Sequence, residues 1–204
     1  MQFRQHSIDL TKELDNKTKK DNGIFFTPNS IRKDLLDETR KYINLNQGKK
    51  IILEPCFGSG EFIFDLIEIN NNNKIIGVEK DKTVYEKTFP KISNSNVDLI
   101  NKDFLDYSDC NKDLIIGNPP FIVLNKNEVD ERYTEYISGR FNIFCIFIIR
   151  SLELLKNDGI LSFILPRSFL NSLYYNVVRE YVNTHCKILN IIDYQEKDKF
   201  LETK

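Results

Sequence analysis

The 204-residue chain has no tryptophan, one methionine and only two histidines, His6 and His185. Neither histidine stands in a metal-ligand spacing such as HExxH. The four cysteines, Cys56, Cys110, Cys145 and Cys186, include no CxxC pair. A structural zinc site is therefore not expected, and no metal is assigned. The scattered cysteines give no disulfide framework, in agreement with a reducing compartment. Long hydrophobic runs are absent too. The longest, Ile143 to Ile149, falls far short of the ~20 residues that span a bilayer. The opening MQFRQHSIDL lacks an apolar core and a small-residue cleavage site, so a secretory signal is not expected. Neither charge is in excess: 29 basic residues face 30 acidic ones, for a formal net charge of -1. That balance argues against a protein that coats nucleic acid non-specifically, while leaving room for a local basic patch. Together these absences predict an intracellular, cytoplasmic protein with no membrane partner.

What is present suits one domain over 1–204, with hydrophobic residues at 41% and enough length for a full core. SIDLTKELDNKTKK, from Ser7, reads as a short helix with Ser7 as its candidate cap. IRKDLLDETRKYI places Ile31, Leu35, Leu36, Thr39, Tyr42 and Ile43 on one helical stripe. From Lys50 the texture changes. KIILEP, KIIGVEKD, VDLINKDF, DLIIGNPPF, GILSFILP and KILNIIDY read as six strands. Between them lie the helical stretches FGSGEFIFDLIEI, TVYEKTF, FNIFCIFIIRSLELL and SFLNSLYYNVVREYVNTH. Lys156 to Gly159 is a C-cap signal for the third of these helices. Asn125 to Gly139 reads as a loop or short helix, and Phe141, Phe144 and Phe147 as core. Nearly continuous apolar strands alternating with helices predict a doubly wound α/β domain, its mostly parallel sheet covered by helices on both faces.

In such a sheet a ligand sits outside the carboxyl ends of the strands, near the switch in strand order. Those ends are Glu54 to Gly60, Glu79-Lys80, Asp103-Phe104 and Asn118 to Phe121, each a polar or glycine group directly after an apolar run. Gly58 and Gly60 lie between strand and helix, where backbone amides can approach a ligand closely. The loop lacks the third glycine of a dinucleotide fingerprint, since position 63 is Ile63, and lacks the GK[ST] of a phosphate loop. NAD and ATP are disfavoured, and a smaller non-phosphorylated nucleoside fits better. A carboxylate at Glu79 can accept both hydroxyls of a ribose. Asp103 can accept from an adenine amino group, with Phe104 packed on that ring, or can simply cap a turn. DLIIGNPPF ends a strand in an amide, two prolines and an aromatic ring, which makes either a stiff turn or a rigid bracket for a flat substrate.

Taken in order, these segments resemble the S-adenosyl-L-methionine-dependent methyltransferases, and within them the adenine-N6 DNA methyltransferases of restriction-modification systems. GIFFTP is similar to the family's N-terminal cofactor motif, EPCFGSGEF to its glycine loop and VEKD to its ribose acid. Asp103-Phe104 is similar to its adenine-binding pair and NPPF to its catalytic [DNS]PP[YFW] motif, in the gamma order. The resemblance implies a Rossmann-like methyltransferase sheet and a cofactor pocket lined by Thr27, Glu54, Cys56, Gly58, Gly60, Glu79, Lys80, Asp103, Phe104 and Asn118. It implies a catalytic set of Asn118, Pro119, Pro120 and Phe121, with Phe121 and Phe200 on either side of an adenine flipped out of double-stranded DNA. Cys56 lies in the cofactor loop, so it reads as a small buried thiol and not as a nucleophile. The family's fold carries a seventh strand and a target-recognition domain. Neither is visible here, so a shortened chain, or one that relies on a separate specificity domain or subunit, is expected. A protein-glutamine methyltransferase, an RNA adenine methyltransferase and a non-catalytic scaffold of the same fold remain alternatives.

Overall fold

The computed structural model describes residues 3–14, 27–136, 139 and 141–194. Its centre is a five-stranded parallel sheet. β1 (Ile51–Glu54) lies between β2 (Lys74–Glu79) and β4 (Lys112–Gly117). β3 (Val97–Asn101) flanks β2, and β7 (Leu155–Phe163) flanks β4. A small antiparallel pair, β5 (Val123–Leu124) with β6 (Phe141–Asn142), stands apart.

Strand side chains alternate between faces, and here both faces are dry. Ile52, Ile75, Leu114 and Ile116 point to one side. They pack against Leu36 of α2 (Asn29–Thr39) and Phe62, Ile63 and Leu66 of α3 (Glu61–Ile69). Leu53, Ile76, Val78 and Ile115 point to the other, where Phe147 and Leu154 of α5 (Ile143–Leu154) meet them. Burying each such aliphatic side chain contributes about 1.5–3 kcal/mol, so the central strands are the most strongly held part of the molecule. Phe141, Phe144 and Phe147 are at most 5% exposed, as a core reading expects. α1 (Gln5–Glu13) and α4 (Lys82–Thr88) pack together at the β2 side. Among the described residues no helix is long and apolar enough to cross a membrane.

Between Asn125 and Gly139, where a loop or short helix is expected, two short 3₁₀ helices form, Lys126–Glu128 and Glu131–Tyr136, with Tyr133 at 1% exposure. Three local expectations are corrected. Ser7 does not cap a helix: α1 begins at Gln5, and Ser7 is fully buried inside it, donating its hydroxyl to Glu61. The helix expected from Ser168 breaks into α6 (Ser168–Asn171), a 3₁₀ turn and α7 (Asn176–His185). At the break the Ser172 hydroxyl accepts from the Tyr174 amide (3.3 Å), competing with the helical ladder. The Arg179 guanidinium then donates to the freed carbonyls of Phe169 and Ser172 at 2.7 and 2.8 Å. Lastly, KILNIIDY forms no strand. Ile188, Leu189, Ile191 and Ile192 are 39–55% exposed, and the segment is tied to α2 and the sheet's end by side chains. These ties are Tyr194 to Asp34 (2.8 Å) and Arg167 to Asp193 (3.3 Å). Apolar β-branched residues make a strand only where a neighbour supplies a ladder, and among the described residues none does.

The α5–β7 junction also departs from the expected cap. The helix ends at Leu154 and the left-handed residue that follows is Asp158, at φ 62°, one position before the glycine.

Gly77 marks the tightest packing in the sheet. A Cβ there would stand 2.7 Å from Ile63, 2.8 Å from Leu99 and 2.9 Å from Phe57. Gly77→Ala should therefore cost about 1–3 kcal/mol by overpacking. Urea unfolding should show a lower midpoint at unchanged slope.

Candidate active site

The parallel register carries the ends of β1, β2, β3 and β4 to one rim, where they enclose a cavity of about 590 Å³ at the point where strand order reverses. Nine of the ten expected cofactor residues line it: Thr27, Glu54, Cys56, Gly58, Glu79, Lys80, Asp103, Phe104 and Asn118. Gly60 stands behind the lining. It caps α3 at φ 75°, and its amide donates to the Phe57 carbonyl at 2.7 Å. That left-handed turn lets the loop reverse directly into a helix, which glycine does without a steric cost. A second hollow, about 610 Å³, lies beside the C-terminal end of α2 between Asp37 and Asn46. It gathers none of the strand ends.

Three of the acids that line the cavity stand at or just beyond strand ends. Glu54, 3% exposed, ends β1, and its Oε2 finds no hydrogen-bond partner among the described residues. Burial, reinforced by Asp65, holds its carboxyl well above the ordinary range. Glu79 ends β2 with both oxygens engaged. The Gly58 amide donates to Oε2 at 2.9 Å and the Asp81 amide to Oε1 at 2.8 Å. Burial nevertheless outweighs these amides and pushes its pKa up to about 7. Asp103 makes the turn cap its position suggested and also stands in the cavity lining. It caps a 3₁₀ turn by accepting from the Leu105 amide (3.0 Å), and it faces the cavity, paired with Lys80 at 2.8 Å. Beneath it Phe104 is 1% exposed and tilted against Phe147, their centroids 4.9 Å apart.

NPPF closes the other wall. Asn118 is held from two directions. Its Nδ2 donates to the Thr27 hydroxyl at 3.2 Å, and its backbone carbonyl accepts from the Cys56 thiol at 3.2 Å. Burial and the nearby acids raise the Cys56 pKa well above its usual value, so the thiol keeps the proton it donates. Pro120 lines the cavity, whereas Pro119 and Phe121 do not. Phe121 is half-buried, set edge-on to Phe144 at 6.0 Å and 85°. Phe200 and residues 23–26 of GIFFTP lie outside the described residues.

Sequence reasoning missed the ionic support behind this wall. Arg32, 2% exposed, sits on α2 with its Nε donating to Asp65 at 2.7 Å. Its Nη2 lies 2.9 Å from Glu61, and its Nη1 donates to the Thr27 carbonyl at 2.6 Å. A signal existed: Glu61 and Asp65 are four apart on a helix whose only other charged residue is Glu68, and Arg32 is four before Leu36 on the buried face of the next-packed one. Among the described residues no cluster of His, Cys, Asp and Glu could hold a metal ion.

A doubly wound sheet with a glycine loop, a strand-end acid and NPPF around one cavity defines a methyltransferase. The comparisons give the family. Residues 42–200 match the Eco57I restriction-modification methylase model, and the chain belongs to that family. It is 34% identical over 97% of its length to modification methylase CviBIII of Paramecium bursaria Chlorella virus NC1A, covering 51% of that protein. With the type II methyltransferase M.AccI of Acinetobacter calcoaceticus it shares 30% identity over 92% of its length, covering 36% of that protein. The chain thus spans about half or less of these relatives. The same fold occurs in a type I restriction-modification methyltransferase subunit from Streptococcus thermophilus, with a TM-score of 0.64 and 18% identity over 78% of this chain and 38% of that one. The methyl donor of this class is S-adenosyl-L-methionine. The lining fits such a group: the buried Glu54 Oε2 finds no hydrogen-bond partner among the described residues, and Gly58, Glu79 and Asp103 share the cavity with it.

Because the folded chain raises Glu79 from the usual 4.5 to about 7, its protonated form is favoured by folding. That stabilisation is complete below about pH 4.5 and lost as pH rises through about 7. Glu54 acts in the same sense and His6, whose pKa burial lowers, in the opposite one. Between pH 5 and 8 Glu79 should account for a fall in unfolding free energy on the order of 2 kcal/mol. Paired urea titrations of the wild type and Glu79→Gln should show that part of the slope vanish in the variant.

Proposed function

We propose that this chain is the catalytic unit of a site-specific DNA methyltransferase that acts on N6 of a flipped adenine in double-stranded DNA, within a restriction-modification system. The observation that carries the reading is Asn118, anchored by the Thr27 hydroxyl and the Cys56 thiol in the cavity that Glu54, Glu79 and Asp103 also line. When bound, S-adenosyl-L-methionine supplies a sulfonium methyl, which passes to the amine nitrogen as the C–S electron pair returns to sulfur and one N–H proton leaves to solvent.

The chain's own residues do the rest. Glu79 accepts the ribose hydroxyls, Asp103 and Phe104 hold the adenine of the cofactor, and Glu54 receives its ammonium group. The glycine loop and Lys80 close the rim over it. An exocyclic amine is a poor nucleophile because its lone pair is delocalised into the ring. The Asn118 side-chain oxygen and the Pro119 carbonyl accept its two hydrogens. Both bonds strengthen as positive charge develops on that nitrogen, so they favour the transition state over the ground state. Pro119 and Pro120 keep the acceptors fixed, which leaves little orientation entropy to lose. Phe121 offers a face to the base, worth about 1–3 kcal/mol in stacking, and Phe200 closes the other side in the same reading. A paired base cannot reach such a pocket, so it is flipped. Choice of DNA sequence falls to a separate specificity domain or subunit.

The test combines calorimetry with nucleoside mass spectrometry of duplex DNA, in large excess, after incubation with the chain and S-adenosyl-L-methionine. Binding and N6-methyladenine are expected. Methyl transfer to release-factor glutamine or structured RNA alone overturns the DNA reading, and absence of cofactor binding indicates a scaffold. Asn118→Ala should lower kcat by roughly 10²-fold or more while the cofactor still binds.

A further inference from the structure

We propose that Arg32 is a positioning residue for methyl transfer: its buried guanidinium sets Thr27, and Thr27 sets the rotamer of the Asn118 amide. This rests on the reading of Asn118 as the acceptor of the amine hydrogens.

The inference begins with an expense. A guanidinium at 2% exposure has lost its water, and only a full set of fixed acceptors makes that tolerable. Arg32 has three on three sides: Asp65 at 2.7 Å, Glu61 at 2.9 Å and the Thr27 carbonyl at 2.6 Å. The two carboxylates stand one turn apart on α3 and are themselves immobilised. Arg4 bonds Asp65 at 3.0 Å, and its backbone amide donates to Glu61 at 3.0 Å. Ser7 also donates to Glu61, with the Ser59 hydroxyl of the glycine loop 2.9 Å from it. The planar fork of Arg32 therefore takes its orientation from α3, the helix that the glycine loop begins.

The third arm of the fork points elsewhere. It grips the backbone of Thr27, a residue 5% exposed that lines the cavity and precedes Pro28, whose ring restricts Thr27 to extended backbone. With its carbonyl fixed and its backbone restricted, Thr27 presents its hydroxyl to Asn118 Nδ2 at 3.2 Å. A side-chain amide has two ends. Committing the nitrogen to Thr27 turns Oδ1 away from it, and a flipped amide would offer the incoming amine a donor where it needs an acceptor. Arg32 does not line the cavity, so it acts on Asn118 only through this chain of contacts.

The experiment has one readout that needs no turnover. In a ¹H–¹⁵N spectrum of the chain, the Asn118 side-chain amide pair is assigned by its loss in Asn118→Asp. That pair should shift in Arg32→Lys, which keeps the charge but loses the fork, and in Thr27→Val, which keeps the shape but loses the acceptor. Thr27→Ser should restore it. In turnover, Arg32→Lys should lower kcat roughly 10- to 100-fold, the scale of a small misplacement of a reacting group. Its affinity for S-adenosyl-L-methionine should fall by less than its kcat, since Arg32 bonds Thr27 and Glu61 of the lining but not Glu79, Asp103 or Phe104. Unmoved Asn118 signals in a folded Thr27→Val overturn the proposal, as does a kcat unchanged when the signals move. If the wild type transfers no methyl group, the functional reading fails, while the spectra still decide whether Arg32 and Thr27 hold the amide. Should Arg32→Lys fail to fold, the Thr27→Val and Thr27→Ser pair decides alone.

Discussion

Everything at the rim depends on parallel pairing of β1 with a neighbour on each side. Ile52 pairs with Ile75 and Leu114, and Leu53 with Ile76 and Ile115; β1 then ends at Glu54, while β2 runs on to Glu79 and β4 to Gly117, all toward the same rim. Glu54, Glu79 and Asn118 meet in one cavity because the strands that carry them share a direction and a register. In an antiparallel sheet the same residues would stand at opposite ends.

The cavity reached this way is acidic and its carboxylates at Glu54 and Glu79 are buried, which sets its chemistry. A carboxylate taken out of water resists ionisation unless donors surround it. Glu79 has two backbone amides and still titrates near neutrality. Glu54, whose Oε2 finds no donor among the described residues, is also held well above the ordinary range by burial. A cationic ligand supplies what the wall lacks, whereas a polyphosphate would add charge of the same sign beside Glu54, Glu79 and Asp103. That agrees with the absence of a phosphate-loop signature at Gly58 and Gly60.

The sequence made most of the strands, the rim and the strand-end part of the lining legible, because buried parallel strands are short apolar runs and functional groups follow them directly. β1 to β4 and all the strand-end residues were read from that pattern. KILNIIDY failed for the same reason: its composition is that of a strand, but a strand exists only in the company of a ladder, and one-dimensional periodicity cannot show which neighbours are present. Ser172 and Arg179 broke a helix through contacts seven residues apart that no propensity encodes. Arg32 escaped notice since a basic residue on an amphipathic helix normally lies at the solvent face. Its burial follows from Glu61 and Asp65 on another helix, 29 and 33 positions later, so the relation exists only in three dimensions.

The exposed aliphatic row at Ile188, Leu189, Ile191 and Ile192 has a practical side. Apolar β-branched side chains in a run of eight residues, lying at the β7 side of a sheet whose outer edge is unpaired among the described residues, are what self-association draws on. This apolar row lies outside the lining of the strand-end cavity. A charged side chain at Ile191 would improve solubility in concentrated samples without reaching the rim.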